Sequence, residues 1–247
     1  MRVLSTVRFT LLRMMRYYIV LLLLLVVPIA LLTFFSWILS GAVMDNGEPY
    51  INDTALSLVL CFQLFGGSVV MSMIHSDFFT ENRIRIHVLP FNHTLYAFSI
   101  MLCGTLYSVM LGVIQMAYTE FVLGVQWHSW LWMVYLITLM SLLSSIVCLI
   151  FTFMVKSFKL AERLSEIYGV GFVVLAGLFF PLPDHPVFNF LGSYGNPLTL
   201  STGAIREMSR SHTGEAWLQA NILLITIVVL FIVMLVVGRR RMARDHF

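Results

Sequence analysis

Long apolar runs, broken by short polar intervals, set the pattern of this chain. They cover residues 17–40, 55–74, 95–123, 130–155, 164–180 and 216–238. Most reach the roughly 20 residues that a helix needs to cross about 30 Å of hydrocarbon. The run 164–180 is the shortest and stops at Pro181 and Pro183. Pro28 sits inside the first run and predicts a kink there. The second contains Gly66-Gly67-Ser68, whose small side chains allow another helix to come close.

The polar intervals carry their own patterns. In residues 1–16, Leu4, Val7, Leu11 and Met14 share one helical face, and Arg2, Arg13 and Arg16 gather opposite. That predicts a helix lying on a membrane surface with its arginines toward anionic headgroups. A secretory signal peptide is the competing reading. The apolar run that follows exceeds the roughly 7–15 residues of a signal core, so retention is expected. Residues 75–94 hold Asp77, Phe78, Phe79, Glu81, Arg83 and Arg85 ahead of Pro90. Arg83 to Val88 alternates with period two, as a strand would. An isolated strand has nothing to pair with here, so a short interfacial helix ending before Pro90 is expected.

Residues 172–208 form the least ordinary stretch. Pro181, Pro183 and Pro186 stop any helix, because proline has no N–H and clashes with the preceding turn. Yet Val187, Phe188, Phe190, Leu191 and Tyr194 follow, then Gly195-Asn196-Pro197 and another apolar segment. Backbone that dips into the membrane face without crossing it fits this pattern. Such backbone must be shielded by protein or line a wet cavity. An ordinary interfacial loop anchored by aromatics is the plainer alternative.

Composition agrees with a lipid solvent. The 247 residues are 60% hydrophobic and 11% charged, against roughly 25% charged in soluble domains. The net charge of +3 is no nucleic-acid signal, because its placement is what matters. Thirteen of the fifteen lysines and arginines fall in residues 1–16, 75–94, 156–166 and the tail, leaving Arg206 and Arg210 on the other side. The positive-inside rule then puts both termini in the cytoplasm of a multi-pass membrane protein. Cys61, Cys103 and Cys148 lie in apolar runs and are expected to be small buried hydrophobes.

Catalytic motifs are missing. The chain has no Walker loop, no His-Glu-x-x-His and no Gly-x-Ser-x-Gly. Its seven histidines have no ligand spacing on one helical face, so no metal site is expected. Glu120 and Glu166 lie near span ends rather than at mid-membrane. An apolar interior argues against ion selectivity by charged rings. It suits transport of something amphipathic, or a protein driven by a partner. A self-sufficient secondary transporter or channel is the alternative.

The whole pattern resembles the membrane subunits of type-2 ABC exporters. A basic surface helix precedes the first of six runs with both ends inside. Glu81 to Val88-Leu89-Pro90 resembles that family's coupling helix, although Asn82-Arg83 stands where Gly-Thr is usual. Gly177-Leu178-Phe179-Phe180-Pro181, Pro186, Phe190, Pro197 and Ala204-Ile205-Arg206 resemble its signature between the last two spans. The resemblance implies an all-α integral protein of the bacterial plasma membrane: an interface helix at 1–16, six transmembrane helices, a coupling loop at 75–94 and short re-entrant helices in an outer stretch at 181–208, between spans five and six. It implies that Asp77, Phe78, Phe79, Glu81, Arg83, Arg85 and Pro90 meet an ATPase. Phe179, Phe180, Pro181, Pro183, Pro186, Pro197 and Arg206 would shape the outer gate. The chain itself would be no enzyme and would hold no cofactor. ATP and Mg would sit on two copies of a separate ABC ATPase, below this permease and a second one, identical or sister. Lipid, not nucleic acid, would surround it. Efflux of drugs or antimicrobial peptides, and hence antibiotic resistance, is the expected role.

Overall fold

The computed structural model describes residues 10–14, 16, 18–44, 49–80, 93–178 and 185–244. Among these there is no strand, only an isolated bridge between Val43 and Pro49. Helix α1 is continuous through Tyr18–Leu21, Leu22–Val26 and Val27–Ile38. Helices α2 (Tyr50–Gln63) and α3 (Ser68–Phe79) follow, then α4 (His93–Phe121) and α5 (Trp130–Met154). Helix α6 (Phe158–Leu175), two shorter helices, α7 (Pro186–Ser193) and α8 (Pro197–Ser209), and the long α9 (Thr213–Arg244) complete the order.

Four segments among the described residues are long and apolar enough to cross a membrane: Tyr50–Phe79, Leu95–Phe121, Trp130–Met154 and Thr213–Arg241. The apolar helix Leu22–Ile38 is shorter, and α6 has 18 residues. The sequence pattern expects six crossings, and its other two apolar runs, 17–40 and 164–180, correspond to these lesser helices.

Helix α5 is the hub. It packs against α2, α3, α4, α6, α8 and α9, and 72% of its apolar window is buried against 22% for α9. That contrast follows from residue size. Ser141, Ser144 and Ser145 on α5 are fully buried, and such small side chains let neighbouring backbones approach. Helix α9 instead turns Ile225, Val229 and Ile232 outward, as a helix against lipid does.

Pro28 alters the hydrogen bonding of α1 in a specific way. It offers no N–H to the carbonyl of Leu24, four residues earlier. The strain is taken up as a π turn over Leu22–Val26, and the side-chain amide of Gln115 on α4 donates to the Leu24 carbonyl at 2.6 Å. A buried carbonyl in an apolar setting must find such a donor.

The apolar run Tyr50–Phe79 is broken at residues 64–67. There the backbone bonds run three residues back, as from Gly66 N–H to the Gln63 carbonyl at 3.1 Å. Ser144 on α5 clamps the break: it accepts from Gly67 N–H at 2.9 Å and donates to the Leu64 carbonyl. Gly67 is required, because a Cβ there would overlap the backbone of Ser144 and Ser145. Beside it, the Gln63 side-chain oxygen accepts from Ser108 at 2.9 Å and Ser141 at 2.7 Å. Three helices are thus tied by hydrogen bonds at the break.

Candidate functional site: the two ends of the bundle

One end of the bundle gathers basic and aromatic residues from six parts of the chain. Asp77 at the end of α3 is 1% exposed. Its carboxylate accepts from Arg13 at 2.6 Å and from the Tyr96 hydroxyl at 2.9 Å. A buried carboxylate is tolerable only when paired and hydrogen-bonded in this way. The pairing fixes the helical residues 10–14 to α3 and α4. Met14 on the same segment is fully buried, which fits its place on the expected apolar face.

Aromatic packing extends this end. Phe78 is buried, its ring centroid 6.0 Å from that of Tyr96. His75 stacks on Phe158 of α6 at 4.3 Å and lies 5.9 Å from Phe79. Phe79 in turn meets Phe153 of α5 edge-on at 6.5 Å, and the Arg241 guanidinium of α9 sits 5.5 Å above its ring. Cations favour that aromatic face. The residues expected to couple to an ATPase therefore divide. Asp77 and Phe78 are engaged inside the chain, Phe79 is half-buried among three helices, and Glu81, Arg83, Arg85 and Pro90 lie outside the described residues.

The opposite end is built around a cavity of about 810 Å3, between the first turns of α2 and α5, the 126–129 turn and the last turn of α8. Arg206 and Asp53 span it with two bonds, Nε to Oδ1 at 2.6 Å and Nη2 to Oδ2 at 2.7 Å. Such paired geometry is the strong form of the arginine–carboxylate contact. Trp127 and Trp132 line the wall and are fixed by their indole N–H groups. Trp127 donates to the Met116 carbonyl at 3.3 Å, and Trp132 to the Ala204 carbonyl at 3.1 Å. Trp217 packs edge-on against Trp132 at 4.8 Å.

Proline at this end does more than stop helices. Pro186 and Pro197 each open one, α7 and α8, where a missing N–H costs nothing and the fixed φ is already helical. Asn196 caps α8 by accepting from Leu198 N–H at 2.9 Å, and its amide donates to the Phe172 carbonyl of α6 at 2.8 Å. Gly177 ends α6 with φ +69°, the left-handed conformation that glycine adopts without strain. Phe179, Phe180, Pro181 and Pro183 lie outside the described residues. Of the residues expected at an outer gate, Pro186, Pro197 and Arg206 are therefore placed, and Arg206 carries the ion pair.

Three features escape the sequence pattern: the Arg13–Asp77 pair, the Asp53–Arg206 pair and the Gln63 and Gln115 bonds. The polar residues inside apolar runs were the available signal, because an amide in hydrocarbon must find partners. Glu207, His212 and Glu215 also come together, with ligand atoms within 4.8 Å. Glu207 there pairs with His212 at 2.9 Å and Arg210 at 3.3 Å, so the group reads as a surface ion-pair cluster.

Comparison with known families now decides the class. The family model described as ABC-2 type transporter matches residues 2–208. The chain belongs to the ABC-2 type transporter membrane family. Comparisons with curated proteins and with solved structures give no match. Membership makes this a multi-pass transport component, a permease that is not itself catalytic, in a family that generally works with ATPase subunits. The two ends are then the candidate input and output of an ABC-2 permease.

Proposed function

We propose that this ABC-2 permease is the membrane half of an ATP-driven exporter. Two permease chains, identical or paired with a sister, stand over two copies of a separate ATPase that carries ATP and Mg. The basic end faces the cytosol, in keeping with the positive-inside rule. Tyr18–Ile38 and Phe158–Leu175 complete six crossings, and α7 and α8 dip back from the outer face as the gate.

The observation that carries this reading is the convergence on Asp77, Phe78 and Phe79. Residues 10–14 and helices α4, α5 and α9 all meet the last turn of α3. The interval that follows holds Glu81, Arg83 and Arg85 as the groups for the ATPase. Asp77 acts through Arg13, holding the surface helix to the coupling segment. A push on that segment passes along α3 to the break at residues 64–67, then through α2 to Asp53 and Arg206. It is a rigid-body transition biased by the nucleotide state of a partner. The apolar interior suits an amphipathic cargo, such as a drug or an antimicrobial peptide, with efflux as the outcome.

The test is a pull-down of the tagged full chain from its native membrane, with ATPase activity assayed on the eluate. An ATP-binding subunit is expected to co-purify, and to be lost with Glu81→Lys and Arg83→Glu together. Recovery of the intact chain alone, with no ATPase, would replace this reading by a self-sufficient carrier or channel.

A further inference from the structure

The cavity at the gate end has a lining whose chemistry is one-sided. Among the described lining residues Asp53 is the only carboxylate, and both its oxygens are already bound by Arg206. What remains to face an occupant is cationic or neutral, and it includes several donors. Arg206 has used two of the five N–H groups of a guanidinium. Arg210 has one 3.3 Å bond to Glu207 and is 61% exposed. Asn52 and Gln126 add amides to the same wall. An occupant rich in acceptor oxygens and negative charge satisfies such a set.

The rest of the wall is apolar. Leu56, Met133, Ile205 and Met208 line the same space, and unbranched methionine adapts to irregular neighbours. The volume, about 810 Å3, is ample for a polar head with the first part of its tail. Depth in the membrane singles out the source. Trp127, Trp132 and Trp217 cluster at this end, and tryptophan collects at the headgroup level of a bilayer. Lipid phosphates lie at that level.

We propose that this cavity binds the phosphate headgroup of an anionic phospholipid from the leaflet on its side, with Arg206 and Arg210 on the phosphate. Asp53 is a positioning residue that holds the Arg206 fork in place. The bound lipid would join α2, α5 and α8, the three helices around the cavity. The inference needs only that the chain sits in a membrane, and does not depend on the identity of the cargo.

The experiment uses the full chain in nanodiscs of phosphatidylcholine mixed with phosphatidylglycerol, followed by native mass spectrometry of the lipids retained after mild delipidation. Phosphatidylglycerol is expected to be retained over phosphatidylcholine. Loss of one charged contact lowers affinity about tenfold, so Arg210→Gln is expected to cut that preference by about this factor, with Arg206→Gln acting in the same direction. Arg239→Gln, at the other end of the bundle, is expected to leave it unchanged. Arg210 is exposed, so its variant separates lost binding from lost folding. Equal retention of the two lipids, or an unchanged preference in Arg210→Gln, would overturn the site. Displacement of the lipid by soluble glycerol phosphate would overturn the lipid as its occupant.

Discussion

The two ends of the bundle are held together by the same kind of bond in opposite surroundings. At the basic end, Arg13 meets an Asp77 that is 1% exposed and also bonded by Tyr96. At the cavity end, Arg206 meets an Asp53 that is 34% exposed beside an open volume. A buried pair loses heavily when one partner goes, because the other charge is stranded. A solvent-facing pair loses little, because water takes the freed groups. The first is suited to hold a fixed assembly, the second to open and close. That difference is in keeping with the roles proposed above, force reception at one end and gating at the other.

The largest effect is expected at the basic end. Arg13→Ala strands Asp77 and should cost about 3 kcal/mol, the low end of the range for a broken buried pair because Arg13 is itself partly exposed. Thermal unfolding in detergent measures it. Asp77→Asn added to Arg13→Ala should recover part of the loss, since a neutral amide needs no counter-charge. Next comes the joint between the ends. Gly67→Ala forces α3 away from the Ser144 backbone and should cost about 2 kcal/mol, as overpacking does.

A smaller loss, about 1–2 kcal/mol, is expected for Gln115→Leu, which removes the donor to the Leu24 carbonyl. Hydrogen exchange at the π turn of α1 would locate it. Smallest on stability is Arg206→Gln, at about 1 kcal/mol or less. Its effect should fall on transport instead, with the ATPase still co-purifying. Were Arg206→Gln to unfold the chain as readily as Arg13→Ala, the contrast between the ends would collapse.

Much of the fold is legible in the order of residues. The apolar runs 95–123, 130–155 and 216–238 match α4, α5 and the body of α9 within a few residues, because lipid demands an unbroken apolar helix of set length. Pro28 gives its position for a distortion, and Gly66-Gly67 its place for close packing. The partners were not legible, since they lie far off in sequence. Gln115 reaches Leu24 across 91 positions, Gly67 meets Ser144 across 77, and Arg206 meets Asp53 across 153. No local periodicity encodes such pairings. The break at residues 64–67 was hidden for the same reason: hydropathy runs straight through it, and its partners Ser108, Ser141 and Ser144 lie on other helices. Pro186 read as part of the barrier that ends one helix, and in the fold it also begins the next, as Pro197 does.

The central claim is that nucleotide at the basic end moves the cavity end. Spin labels on Tyr50→Cys in α2 and His212→Cys beyond α8 would report the separation across the cavity; both positions are exposed, and the native Cys61, Cys103 and Cys148 are buried. Pulsed electron paramagnetic resonance on the reconstituted permease with its ATPase is the direct test. Adding a non-hydrolysable ATP analogue is expected to shift the distance distribution between these labels, and Gly67→Ala to blunt that shift. An unchanged distribution in a complex shown to have bound the nucleotide would contradict the account.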